Sequence, residues 1–172
     1  LHFGSFADIA DHEWDPATLA LRRDLEACFE AALREECSRA GLPTDPVAAI
    51  RLVGERSSPP LASTMATHGT WAQLVEFVVH RSIYQLKEAD AHTFGIPRLR
   101  GPGRDAFLRL QIDEYGSGLP GDAHAEIFAR AMGALGLDDR LGGYVEYVPA
   151  TTLATDNLVS LFGLHRRPRG AR

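Results

Sequence analysis

Apolar residues return every three or four positions in five stretches of the chain, and residues that start or stop helices bound each stretch. In the first, Asp15 is the expected N-cap and Pro16 the first helical residue, with Leu21, Leu25, Cys28, Phe29, Ala32 and Leu33 on one face and Gly41 and Pro43 ending it. Thr70 opens the second with Gln73 three residues on, the spacing of a capping box, and Trp71, Leu74, Val75 and Val78 carry the pattern toward Ala89. Pro97, Gly101, Pro102 and Gly103 then break the chain. A third helix is expected from Arg104 to Tyr115, closed by Gly116. After the glycine-rich loop to Gly121, Asp122 is the expected cap of a fourth, with Ile127, Phe128, Met132 and Leu135 before the stop at Gly136. The fifth spans Thr152 to Leu164. Residues 45–55 fit neither period well and are assigned to a helix in preference to a strand; Ser57–Pro60 is a loop, and the stretch from there to Gly69 has no strong pattern. The segment before Trp14, with Phe3, Phe6 and Ile9, is expected to be an ordered packing arm. No alternating run argues for a strand, so the pattern predicts an all-α domain.

Composition narrows the class. A chain of 172 residues, 45% of them apolar, can bury one core, and the expected organisation is a single partial helical domain: a lead-in over 1–70 and core helices over 71–172. A net charge of −5 gives no broad basic surface for nucleic acid, the one basic cluster being His165, Arg166, Arg167, Arg169 and Arg172. No apolar run approaches the roughly 18 residues of a membrane span. Cys28 and Cys37 suit neither a zinc clip nor a disulfide framework, which makes a reducing cytoplasm the default location. The chain begins with Leu1 rather than Met, as a piece of something longer would.

Candidate chemistry lies between Trp71 and Met132. On helical geometry Glu88 shares a face with Phe77, Arg81, Tyr84 and Gln85; Glu114 is in register with Phe107, Leu110 and Gln111; His124 is in register with Ile127, Phe128, Ala131 and Leu135. All three are therefore expected to look inward. Glu114 and His124 are ten residues apart, and over that span an unbroken helix would leave them about 80 degrees out of line. Gly116, Gly118, Pro120 and Gly121 permit a break that re-aims the second segment. Two carboxylates and an imidazole on successive helices form an oxygen-and-nitrogen set that suits iron or manganese. Taken singly, each has a plainer account, since a helical Glu is ordinarily solvated and a histidine ordinarily packs or bonds locally. The i, i+4 pairs Glu76/His80 and Glu88/His92 rank below these three, and Asp113 points away from Glu114.

The runs HRSIYQLKEADAHTFGIPRL, QIDEYGSGLPGDAHAEIFARAMGALGLD and VPATTLATDNLVSLFGLHRRPRGA together resemble the iron-containing redox enzyme family of bacteria, among the haem-oxygenase-like di-iron oxidases and oxygenases. The resemblance runs from about Trp71 to the end. It implies a haem-oxygenase-like helical bundle in which Glu88, Glu114 and His124 are metal ligands and Arg81, Tyr84 and Tyr115 stand beside the metal or face substrate. It further implies two iron ions, activation of O2 and oxidation of a small organic substrate by N-oxygenation, desaturation or C–C cleavage. The family's His-x3-Asp-x2-His motif is missing from this sequence, so the bundle reads as truncated and the chain as the N-terminal portion of an enzyme, with little turnover alone. Apolar faces left uncovered are expected to drive self-association. The competing expectation is a metal-free helical binding module whose inward polar groups bond to one another. A thiaminase-like or haem-binding relative fits less well, with no cysteine near the three residues and no histidine suited to a haem.

Overall fold

The computed structural model describes residues 12–36, 41–55 and 60–164, and all regular structure among them is helical. Most of the expected N-terminal arm, Cys37, most of the 57–60 loop and the C-terminal basic cluster lie outside the described residues. The chain divides into two compact units, Leu1–Gly69 and Thr70–Arg172.

The first unit holds α1 (Pro16–Glu36), α2 (Pro46–Glu55) and α3 (Leu61–His68). Both longer helices start alike. The Asp15 carboxylate accepts the Thr18 amide at 2.7 Å and the Asp45 carboxylate accepts the Ala48 amide at 2.9 Å, each just before a proline at the first helical position. Residues 45–55 are thus helical, as preferred from the sequence. The Thr18 bond also lowers the Asp15 pKa. Helix α3 has no counterpart in the expected elements: its eight residues hold one i, i+4 pair of large apolar side chains, Leu61 and Met65, too little to establish a period, and its N-cap, Pro60, makes no side-chain bond. None of the three helices contains a fully buried residue, and Leu21, Leu25 and Ile50 are all largely exposed.

The second unit holds α4 (Trp71–Gln85), α5 (Asp90–Thr93), α6 (Gly101–Glu114), α7 (His124–Ala134) and α8 (Ala150–Leu164), with 3-10 turns at Ile96–Arg98, Gly116–Gly118 and Val145–Tyr147. The capping box at Thr70 is present in both directions: Thr70 Oγ1 accepts the Gln73 amide at 3.3 Å, and Gln73 Oε1 accepts the Thr70 amide at 2.9 Å. Helix α4 packs on α7 and α8 and buries Val78, Ser82 and Ile83, and α5 packs on α8. The α7 stop at Gly136 follows the expected form: Gly136 takes a left-handed φ of 73°, and the Leu137 amide reaches back to the Met132 carbonyl at 3.0 Å.

Several boundaries differ from the sequence expectation, α8 among them, which begins at Ala150, two residues before Thr152. Helix α4 ends at Gln85, and Leu86–Ala89 form a turn before α5, so Glu88 stands on a turn rather than a helix face. Helix α6 begins at Gly101, three residues early. Helix α7 is capped by Ala123 instead of Asp122, because the Asp122 amide is drawn back to the Leu119 carbonyl at 3.2 Å and only the next residue is extended. On α7, Met132 is fully buried while Ile127 and Ala131 are exposed, so the inward stripe runs through His124, Phe128, Met132 and Leu135. No helix among the described residues is long and apolar enough to cross a membrane.

The α5–α8 contact depends on a missing side chain. A Cβ on Gly163 would fall onto the Ala91 carbonyl, and the Gly163 carbonyl itself accepts Arg98 Nη1 at 2.7 Å. Gly163→Ala is expected to lower unfolding stability by about 1–3 kcal/mol, read as a lower urea midpoint; an unchanged midpoint would show that α8 moves away at no cost.

Candidate metal centre

Three side chains from three different elements meet in the second unit. One ligand-capable atom each of Glu88, Glu114 and His124 lies within 4.8 Å of the other two, and among the described residues this is the one such cluster of His, Cys, Asp and Glu. Each arrives by a distinct local device. Glu88 comes from the turn after α4, Glu114 is the last residue of α6, and His124 is the first of α7.

The loop between the last two makes their meeting possible. Gly116 sits at φ 59°, and a Cβ there would overlap the backbone of Asp122 and Ala123, so the chain folds onto itself where only glycine fits. Gly118 and Gly121 are also left-handed, at φ 76° and 85°. The far side of the loop is fastened from α7: the Glu126 carboxylate accepts the Gly121 amide at 2.8 Å, and Arg130 Nη1 donates to the Gly121 carbonyl at 2.6 Å. The break expected from Gly116 to Gly121 is therefore there.

Glu114 Oε2 lies 2.8 Å from His124 Nδ1, with the Glu114 side chain 15% exposed and the imidazole 42%. That spacing is an ion-pair distance, yet Glu114 Oε2 is buried and makes no aligned hydrogen bond. The two side chains thus present one atom each within reach of a common position. The three atoms lie within 4.8 Å of one another, so a small adjustment of the side chains would let them share one ion. Two carboxylate oxygens and an imidazole nitrogen are the donor types iron and manganese accept in helical cores. The residues fit such a metal.

Around the cluster, Gln85 Nε2 donates to Glu88 Oε2 at 2.6 Å and Arg81 donates to Gln85 Oε1, a chain of bonds that orients the Glu88 carboxylate. Arg81 is exposed and reaches Glu88 only through Gln85. Tyr84 is half-buried. Burial, and then the negative charges of Glu88 and Glu114, raise the pKa of its phenol and keep it protonated. Its hydroxyl lies 3.3 Å from His92 Nε2, and the His92 ring stands edge-on between Tyr84 and Phe107. Tyr115 does not reach the cluster by any hydrogen bond; its hydroxyl is 3.0 Å from both Thr93 Oγ1 and Asp90 Oδ1, tying α6 to α5.

Two supports escaped the sequence reading. Lys87, next to Glu88, is in a buried ion pair with Asp156 of α8, Nζ to Oδ1 at 2.6 Å, with side chains 7% and 3% exposed. Its signal was legible, because Asp156 is the only charged residue in α8. Gln111 on α6 bonds to the backbone of Ala89, on the other side of Glu88.

An all-α chain with a carboxylate–imidazole cluster where its helices meet has the donor set that metals take in helical bundles. Residues 75–172 match the family described as iron-containing redox enzyme, more than half of the chain, and the chain belongs to that family, with an all-α fold of the haem-oxygenase-like kind. It is thereby placed among the oxidoreductases, with iron as the metal the family indicates. No curated protein and no solved structure matches it significantly.

Breaking the buried pair leaves one charge stranded. Lys87→Met is expected to cost about 3–5 kcal/mol, and pairing it with Asp156→Leu should restore part of the loss, both read by chemical denaturation. Equal stability of the single and double variants would show that the pair is not coupled.

Proposed function

We propose that Glu88, Glu114 and His124 ligate iron as part of a non-haem di-iron centre that uses O2 to oxidise a small organic substrate. The observation that carries this is the convergence of the three ligand atoms within 4.8 Å in a chain of the iron-containing redox enzyme family. Iron supplies the electron transfer and the open coordination positions that O2 chemistry requires. The chain's own residues hold and tune: Arg81 and Gln85 orient Glu88, and the protonated Tyr84 phenol offers a hydroxyl that can donate to a substrate group. Tyr115 serves by bracing α6 against α5. Manganese accepts the same ligand set. A two-iron centre needs more ligands than these three, so the 172-residue chain alone is expected to hold one ion and to turn over little. A reducing cytoplasm suits ferrous iron and the exposed free thiol of Cys28.

Anaerobic loading with ferrous iron followed by desalting tests this. About one iron per chain is expected, lost in Glu114→Ala and His124→Ala, with the melting temperature raised by iron and lowered again by chelator. No retained iron, and melting indifferent to iron and chelator, would favour a metal-free binding module with an internal polar network.

Self-association is the second expectation, supported by the exposure of Trp71, Ile112, Leu119, Ile127, Tyr147 and Phe162 in the second unit. Light scattering should show dimers or larger species; a monodisperse monomer that binds no hydrophobic dye would contradict it.

A further inference from the structure

We infer that Gln111 is a positioning residue that fixes the separation of Glu88 and Glu114 by clamping the turn that carries Glu88 to the helix that carries Glu114. This rests on the metal-centre reading above and adds a residue to it. Glu88 has no helix of its own to hold it: α4 has ended at Gln85 and α5 has not begun. A ligand on a turn keeps its place only if the backbone beside it is fastened. Gln111 does that fastening. It is 3% exposed, its Nε2 donates to the Ala89 carbonyl at 2.9 Å, and the same nitrogen donates to Thr93 Oγ1 at 2.9 Å. Ala89 directly follows Glu88, and Gln111 lies three residues, just under one helical turn, before Glu114. One amide thus joins the two carboxylate-bearing segments.

The chemistry calls for an amide of this length. Two acceptors, a backbone carbonyl and a hydroxyl oxygen, face one side-chain terminus, so the terminus must be a donor with two hydrogens. The Ala89 carbonyl also accepts the Thr93 amide and hydroxyl, each at 3.1 Å, which makes it the hub where the turn, α5 and α6 join. Gln111 Oε1 is buried and has no partner, a cost tolerated where the amide's donor end does a positional job. A residue kept for packing alone would be better served by leucine or methionine.

The test is Co(II) titration of the 172-residue chain, followed by its visible absorption bands, with Gln111→Met, Gln111→Asn and the remote control Tyr144→Phe, which removes a bond to the Asp138 amide. Melting of each metal-free protein is recorded alongside. Gln111→Met is expected to bind Co(II) about 10–100-fold more weakly with shifted bands, Gln111→Asn to fall between it and the wild type, and Tyr144→Phe to bind as the wild type does. If Gln111→Met melts lower but binds Co(II) with unchanged affinity and bands, Gln111 is a packing residue and the inference is overturned. If Gln111→Met does not fold, Gln111→Asn decides by the same readout, and failure of both to fold would overturn the positional role in favour of a purely structural one. A wild-type chain that binds no Co(II) would instead overturn the metal-centre reading and this inference with it.

Discussion

A carboxylate oxygen and an imidazole nitrogen held 2.8 Å apart without hydrogen-bond alignment constrain everything around them. Glu114 Oε2 is buried and the imidazole half-exposed, so their interaction is screened less than it would be in open water. The elements nearby bring Glu114, His124 and Glu88 to one place. The tight loop at Gly116 serves His124, the end of α6 serves Glu114, and a fastened turn serves Glu88.

The core reflects this priority. Among the described residues the buried side chains divide evenly, with Val78, Ile83, Ala89, Met132 and Leu161 apolar and Ser82, Lys87, Gln111, Asp156 and Ser160 polar. A core built for stability alone would replace the Lys87–Asp156 pair with apolar groups, because desolvation of both charges offsets most of their attraction. What such a pair does well is define one arrangement of its helices. Here it and the Gln111 amide flank Glu88 on either side, so the polar content of the core is concentrated where position matters.

Much of this was legible in the sequence, and the parts that were not have physical reasons. The Thr70–Gln73 box, the Gly136 stop and the Gly116–Gly121 break are local devices, written in adjacent residues, and all three are present. Glu88, Glu114 and His124 were found from helical registers, and the structure brings them together. The helix whose register places Glu88 nevertheless ends at Gln85. Residues 86–89 contain no glycine or proline to announce a turn, and what holds them is a lysine bonded 69 positions away and an alanine carbonyl bonded to a glutamine 22 positions away. Such long-range bonds leave little local signature: Asp156 stands out as the only charged residue of α8, but nothing near it in sequence points to Lys87. Helix α3 was missed for the opposite reason, having no apolar stripe to announce it. Tyr115 was picked out for its place beside Glu114, but its hydroxyl is turned to Asp90 and Thr93 by bonds no spacing rule would show.

The central claim is that Glu88, Glu114 and His124 share one metal ion. X-ray absorption of the iron-loaded 172-residue chain examines that shell directly. The account predicts a first shell of oxygen and nitrogen neighbours with the outer-shell scattering of a single imidazole, and loss of that imidazole signal in His124→Ala. Iron with no imidazole scattering, or with the same signal after His124 is replaced, would contradict it.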